Sequence, residues 1–529
     1  MKFGPGRYAH MPVGNIMRRT ADKFQDKTAL IHKDNRITYG KLNERINRLA
    51  NGLLEMGLKK GDRVSVVLHN CPEFIEIYFA CAKAGTVFVP INTLFKQKEF
   101  SQIIKYIKPR MLIIDPDFEE LISSLGEQID SVEYLFSLQK GPSRRFSPLK
   151  EVIDRGGPEE PNVEILDEDL ISIFLTSGTT GLPKGAMRTH GHNVLNTMAG
   201  AIELKLDYSD RAVLLFPLYH VTFEDHIRNF LMGNTVYIRR EGSFDPKEIL
   251  NILSEEKITV CQLVPTMINA MLQEKDIDKY DLTHLRIIPY AAAPMPVELL
   301  KKAIRRFRCQ FLQMYGQTET GPLTTALKPE DHVLDGTPEQ MTRLASIGKP
   351  VLHFETRIVD EDGNDTPVGE VGELIVRSES TTIGYWDLPE ETAKTIKDGW
   401  VYTGDFCKYD EGGYIYIVDR KNDMIISGGK NIYPREIEEV LYQHEAVLEA
   451  TVIGVPDDYW GESVKAVVVL KEEMTATEEE FINLCKENLA SYKKPRTVEF
   501  RRELPKSPTG KILKRVIREE FWQGKNKIV

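Results

Sequence analysis

Eleven residues, Leu175-Thr176-Ser177-Gly178-Thr179-Thr180-Gly181-Leu182-Pro183-Lys184-Gly185, combine three glycines, four hydroxyls and one lysine. Glycine lets the backbone come close to a ligand, while hydroxyl and ammonium donors suit phosphate oxygens. The segment follows an apolar run, 171–176, that reads as a strand, and α/β proteins place phosphate-handling loops after strands. It is not a P-loop. That motif needs a Ser or Thr after its lysine to hold magnesium, and Gly185 stands there.

The segment resembles the signature of the adenylate-forming superfamily: acyl-CoA synthetases, carrier-protein-loading adenylation domains and beetle luciferases. Further motifs follow in that family's order up to Lys511, and the part from Thr38-Tyr39 to Pro90-Ile91-Asn92 is similar to it as well. The resemblance thus covers nearly the whole chain. It implies that Thr176, Ser177, Gly178, Thr179, Thr180 and Lys184 bind ATP, in a loop that orients its β- and γ-phosphates.

Met314-Tyr315-Gly316-Gln317-Thr318-Glu319-Thr320 resembles the family's strand-end motif. A flat aromatic beside glycine suits an adenine face, a Thr can bond a phosphate oxygen and a Glu can hold magnesium. By the resemblance Tyr315 and Gly316 meet adenine, Thr318 the α-phosphate, and Glu319 the Mg2+ ion. Tyr402-Thr403-Gly404-Asp405 is similar to the motif whose Asp bonds both ribose hydroxyls, a task for which a carboxylate has enough lone pairs. Asp419-Arg420 resembles the next motif, with Arg420 reaching ribose or phosphate. Tyr290-Ala291-Ala292-Ala293 stands where the family is Gly-rich, so Ala292 and Ala293 are expected beside adenine and Ala291 beside the acyl group.

Pro505-Lys506-Ser507-Pro508-Thr509-Gly510-Lys511 resembles the C-terminal motif whose last Lys inserts between carboxylate and α-phosphate. Two anions meet in that reaction and negative charge builds on phosphorus, so a delivered ammonium lowers the barrier. Thr318, Glu319, His220 and Lys511 are therefore the expected catalytic set. Ser427, Gly428, Gly429 and Lys430 resemble the turn that flanks the coenzyme A tunnel after the small domain rotates, and Asn422 occupies the pivot, where the family has Asp or Lys.

Phe216-Pro217-Leu218-Tyr219-His220 is similar to the acyl-pocket border, giving His220, Val221 and Phe223 as pocket residues. An inward Phe223 shortens the slot, favouring a short, branched or cyclic acid. Glu224 has two readings: an exposed residue at a helix start, which is the favoured one, or an inward carboxylate for a cationic acid. The second accords with a looser likeness to carnitine/crotonobetaine–CoA ligases.

These groups need a scaffold of matching size. The chain has 529 residues, beyond the ~250–300 at which one core stops growing, so at least two domains are expected. The expected fold is α/β: residues 1–420 as layered α/β subdomains with a small β-barrel-like part, and 421–529 as a mobile α+β domain, hinged near 419–423. Strands are expected at 64–68, 171–176, 212–219, 259–264 and 285–293, with helices at 72–83 and 297–307 between them. The C-terminal part reads as helix 435–444, strands 447–455 and 464–470, helix 476–489, strand 496–502 and helix 511–522.

Composition narrows the partners. The net charge is −10, which argues against a general nucleic-acid binder. The six cysteines are scattered, with no CxxC pair and no metal-ligand spacing. The N-terminus lacks a signal-like apolar run and no window reaches membrane-span length, so a cytoplasmic protein without integral membrane association is expected. The sequence leaves a homodimer open. The expected reaction is ATP-dependent acid–CoA ligation through an acyl-adenylate, using ATP, Mg2+, coenzyme A and a carboxylic acid. The alternative is loading of the acyl group onto a carrier protein.

Overall fold

The structure, a computed structural model, describes residues 11–141, 143–176, 183–240, 242–420, 423–507 and 510–522. Four sheets carry the described residues. The first has seven strands in the order 147–148, 134–137, 111–114, 63–67, 87–90, β1 (Leu170–Thr176) and β2 (Lys184–Thr189). Its strands run parallel except for the β1–β2 hairpin, where Thr176 pairs with Lys184. That hairpin holds the two ends of the phosphate-loop segment side by side. After β2 comes α1 (His190–Glu203), capped by the Thr189 side chain, which accepts from His192 N.

The second sheet has nine strands in the order 35–38, 28–32, 235–238, β3 (Arg211–Leu214), 260–261, 287–290, β4 (Gln310–Gln317), β5 (Gly321–Leu327) and 349–350. From 28–32 to β4 all neighbours are parallel. The C-terminal ends of β3, 260–261, 287–290 and β4 therefore share one edge, the place where open α/β sheets bind ligands. The helix α2 (Thr222–Met232) starts at that edge and returns along the sheet, ending at Gly233, whose φ of +72° closes it in the left-handed region.

Between the two sheets lies an aromatic core. The helix Pro72–Ala84 has Pro at its first turn and left-handed Gly85 after its last, and it is buried on all sides. Its Phe74, Tyr78 and Phe79 meet Phe88, Phe223 and Phe230 edge to face, with centroids 4.9–5.5 Å apart. Such pairs add about 0.5–1.5 kcal/mol each beyond burial.

A third, antiparallel sheet takes 355–359, 372–377, 400–409, 396–397 and 415–420. The fourth contains 430–432, 425–427, 461–470, 447–457 and 497–501, with the helices Pro434–Leu441 and Glu478–Asn488 forming its core. The helix Val297–Phe307 spans the residues expected from the sequence, and most C-terminal elements fall within three residues of expectation.

Three expected strands are shorter, and the one expected at 285–293 covers only Ile287–Tyr290. The run 212–219 is a strand only to Leu214, because Pro217 offers no N–H and the backbone turns onto Asn70. Asn70 donates to Phe216 O at 2.8 Å and accepts from Leu218 N at 2.9 Å, replacing a ladder. The run 259–264 pairs only at Val260–Cys261, before Pro265 opens a helix.

Candidate active site

The shared strand edge gathers the nucleotide-motif residues. Asp405 is 2% exposed, and its carboxylate is the meeting point. Tyr315 OH donates to it at 2.6 Å, Gln317 Nε2 at 2.7 Å, and Arg420 Nε lies 3.2 Å away. Gly404, at φ +71°, lets the strand turn so that the carboxylate faces Tyr315. Gly316 is needed for space as well: a Cβ there would stand 2.2 Å from Gly321 O. The Tyr315 ring can present a face, while its hydroxyl is fixed by Asp405.

Glu319 sits in the β4–β5 turn with Thr318. Its Oε1 accepts from Tyr385 OH at 2.7 Å, and its backbone carbonyl accepts from Thr382 N at 2.7 Å. One oriented carboxylate fits a magnesium ion held mainly by phosphates and water. Among the described residues no group of three or more His, Cys, Asp or Glu could hold a metal. Lys184 Nζ bonds Glu391 at 2.5 Å and stands 5.1 Å over the Tyr385 ring, so Lys184 and Glu319 share Tyr385. Its hydrogen bond, with that of Lys394, draws the Glu391 carboxyl down to about 2. Thr176 ends β1; Ser177, Gly178, Thr179 and Thr180 lie outside the described residues.

Lys511 arrives from the other end of the chain. Gly510, at φ +79°, bends the loop, and a Cβ there would meet Thr266 Oγ1 at 2.6 Å. Thr266 Oγ1 donates to Gly510 O at 3.3 Å, and Ser507 Oγ accepts from Lys511 N at 3.1 Å. Burial and the neighbouring Arg420 push the Lys511 ammonium down to about 8, against the pull of Asp405 and Asp423. The C-terminal part is held in this pose by Arg435, which donates to Ile417 O and Ala345 O, and by Asn269, which donates to Leu448 O at 2.9 Å.

The Ser427–Lys430 turn is elsewhere and exposed. Ser427 pairs with Lys430, and Gly428 and Gly429 take φ of +58° and +74°, the two-residue turn that only glycine enters freely. Sequence reasoning missed what surrounds it. Gly428 N donates to Trp460 O, a Cβ on Gly428 would strike the Trp460 ring at 2.4 Å, and Arg496 lies over that ring. Lys430 and Lys493 stand over Tyr492. An exposed Tyr459-Trp460 pair was the available signal. Asn422 lies outside the described residues.

The acyl-side expectations change most. His220 is held neutral, its pKa lowered to about 4 by burial, and its Nδ1 accepts from Thr222 N. Val221 is buried in the core. Phe223 does not stand in an open slot: its ring packs edge-on to Phe74 and Tyr78 and closes the space between α2 and the helix Pro72–Ala84. Glu224 is not at an exposed helix start. It is 1% exposed and bonds Arg188, Ser172 and Asn193 at 3.1, 3.0 and 2.9 Å. With Arg188 already its partner, it does not supply a carboxylate for a cationic acid. Ala291 and Ala293 are half-buried, while Ala292 takes φ +69°, a conformation that suits the glycine it replaces in the motif.

Comparison with known proteins names the class. Residues 17–386 match the family of AMP-binding enzymes, and 436–511 match the AMP-binding enzyme C-terminal domain. A feruloyl-CoA synthase from Amycolatopsis sp is 35% identical over 511 residues, spanning 96% of this chain and 99% of that protein. The fatty acid–[acyl-carrier-protein] ligase ScoC of Streptomyces coeruleorubidus is 34% identical, covering 98% of each. The anthranilate CoA ligase AuaEII, solved with anthranoyl-AMP, superposes with a TM-score of 0.89 at 29% identity over 97% of each chain. The chain belongs to the AMP-binding enzyme family, within the adenylate-forming superfamily that includes the acyl-CoA synthetases. Among the described residues no helix is long and apolar enough to cross a membrane.

Proposed function

We propose that the protein is an AMP-forming acid–CoA ligase. In the first step a carboxylate oxygen attacks the α-phosphorus of ATP, the bond to the β-phosphate breaks, and pyrophosphate leaves. In the second the CoA sulfur attacks the acyl carbonyl, its proton is lost, and AMP leaves. The observation that carries this reading is that the Gly510–Lys511 loop, about 100 residues from Asp405 in sequence, docks on Thr266, with the buried Lys511 ammonium within electrostatic reach of the Asp405–Arg420 pair.

Each side chain has a task that its surroundings suit. Asp405 accepts from the ribose hydroxyls, with Tyr315 and Arg420 fixing its plane. Lys511 stabilises charge between carboxylate and α-phosphate. Thr318 and the 176–184 segment bind phosphate oxygens, and Ala292 and Ala293 lie beside adenine. Glu319, oriented by Tyr385, would hold Mg2+, whose charge would screen the phosphates. His220, neutral at pH 7, orients the carboxylate without pairing with it.

For the second step, residues 421–529 would turn about the segment at Asn422 to bring Ser427–Lys430 to the adenylate. Exposed Trp460 and Tyr492, with Lys430, Lys493 and Arg496 over their rings, suit a purine and its phosphates, which favours free CoA as acceptor. The test is incubation with ATP, magnesium and a panel of acids, with and without CoA, followed by mass spectrometry. Acyl-CoA formation supports the reading. Pyrophosphate release with no CoA product would assign the acyl group to a carrier protein, the acceptor named for ScoC.

A further inference from the structure

We propose that Glu391 takes the Lys184 ammonium back from pyrophosphate, so that Glu391 and the phosphates of ATP compete for one cation and the first product is released. The inference rests on the adenylating reading above and deepens it, by adding a positioning residue that acts through Lys184.

The placement of Glu391 is set by the strip 382–386, which runs beside β2. Met187 N donates to Gly384 O at 3.0 Å, Trp386 N donates to Gly185 O at 2.8 Å, and Ala186 bridges Tyr385. Thr382 Oγ1 adds a bond to Met187 O at 2.8 Å. The same strip holds the Thr318–Glu319 turn, because Thr382 N and Tyr385 OH both donate to Glu319. The helix Pro389–Thr395 then folds back onto the strip. Thr392 Oγ1 accepts from Tyr385 N at 2.9 Å, and a Cβ on Gly384 would strike Thr392 Cγ2 at 2.5 Å. Glu391, the residue before Thr392, is therefore carried on a backbone tied both to β2 and to Glu319.

Lys184 is the first residue of β2, and its backbone pairs with Thr176. Its ammonium changes partners by side-chain rotation, with the backbone in place. Here it bonds Glu391 Oε2 at 2.5 Å, while Lys394 bonds the other oxygen at 2.6 Å. These bonds hold the Glu391 carboxyl at about 2, so it carries its charge at neutral pH. The Lys184 and Glu391 side chains are 20% and 29% exposed, which makes the pair separable. Water reaches both groups, and parting them strands neither charge in an apolar interior.

Competition follows from charge. A lysine ammonium has three donors but a single charge, and phosphate oxygens and Glu391 draw on the same one. An anion built into the chain competes at a fixed effective concentration. The apparent affinity for ATP is then the intrinsic affinity reduced by the fraction of molecules in which Lys184 is released. When the bond between the α- and β-phosphates breaks, its electron pair stays on the pyrophosphate oxygen, and the product gains a negative charge. Unopposed, Lys184 would hold pyrophosphate more tightly than it held ATP, and the second step waits on that departure. Glu391 opposes this by re-forming its bond to Lys184 as pyrophosphate leaves.

The test is calorimetric titration of the whole protein, in magnesium, with α,β-methylene-ATP and separately with pyrophosphate. Glu391→Gln keeps the size of the side chain and removes its charge. It should tighten both ligands by about two- to fivefold, the scale of ion pairs that water reaches. In steady-state acyl-CoA formation its KM for ATP should fall without a rise in kcat, and inhibition by added pyrophosphate should strengthen. Lost support for the strip 382–386 would act with the opposite sign and weaken both ligands. In a Lys184→Met background the same substitution should move neither dissociation constant. Unchanged or weaker binding in Glu391→Gln, or an equal gain in the Lys184→Met background, overturns the inference and leaves the ligase reading intact. A parent protein that binds neither ligand overturns the ligase reading and this inference with it.

Discussion

Lysine 511 should give the adenylation reaction its alkaline limit. Burial and Arg420 bring its ammonium down to about 8. A group titrating there is about nine-tenths protonated at pH 7 and about one-tenth at pH 9, so the charged fraction falls roughly tenfold between them. If the ammonium stabilises charge at the α-phosphate, kcat/KM, which reports the free enzyme, should fall with a slope of −1 above about pH 8. The assay is acid-dependent ATP–pyrophosphate exchange without CoA, so that no thiol titrates. Lys83 is also drawn down to about 8, but it is tied to Glu160 and Asn47, and this makes a variant necessary. Lys511→Arg keeps its charge throughout, so whatever rate it retains should show no break up to pH 10. Lys511→Met should lose ~10²–10³ in rate, the scale for removing one oriented donor from a developing charge. Because folding lowers this pKa, the folded chain binds fewer protons than the unfolded chain between about 8 and 10.5. The residue's contribution to stability therefore rises with pH through that window, and below it the buried charge is a cost. Lys511→Met should accordingly melt no lower than the parent protein at pH 7. A wild-type profile flat to pH 10, or a break that persists in Lys511→Arg, would refute the reasoning.

Three further outcomes are expected. Glu224→Leu strands the Arg188 guanidinium, 0% exposed, and should cost about 3–5 kcal/mol of stability, read as a lower urea midpoint. A variant of unchanged midpoint would mean that the pair contributes little. Gly428→Ala must hold φ +58° and push its Cβ against Trp460, so acyl-CoA formation should slow more than pyrophosphate release. Equal slowing of the two would disconnect this turn from the second step. Ala292→Gly relieves a left-handed alanine worth ~1–2 kcal/mol but gives back ~0.4–1 kcal/mol through a freer unfolded chain. A melting temperature raised slightly is the expected result, and a lowered one would mean that the alanine methyl packs usefully.

What the sequence by itself determined is local. Glycines, hydroxyls and a lysine after a strand marked the candidate phosphate segment, because turn chemistry depends on neighbours in the chain. The helix Val297–Phe307 was legible because its apolar period stops before Arg308, which takes a left-handed φ of +52°. The Gly428–Gly429 turn was legible from its glycines alone. The tertiary structure decided whatever depends on distant partners. A Glu at the start of a helix reads as exposed, yet Arg188, 36 residues earlier, buries it in a bonded network. The run before His220 reads as strand, yet Asn70, 146 residues away, takes its backbone bonds. Phe223 fits a pocket wall or a core equally well by type, and only Phe74 and Tyr78 settle that it packs. The same holds for Lys511, whose depressed pKa arises from Arg420 and from burial by elements remote in sequence. Periodicity and turn chemistry encode which backbone a segment takes. Burial, pairing and proton affinity are set by neighbours in space, and those exist only once the sheets and helices have packed.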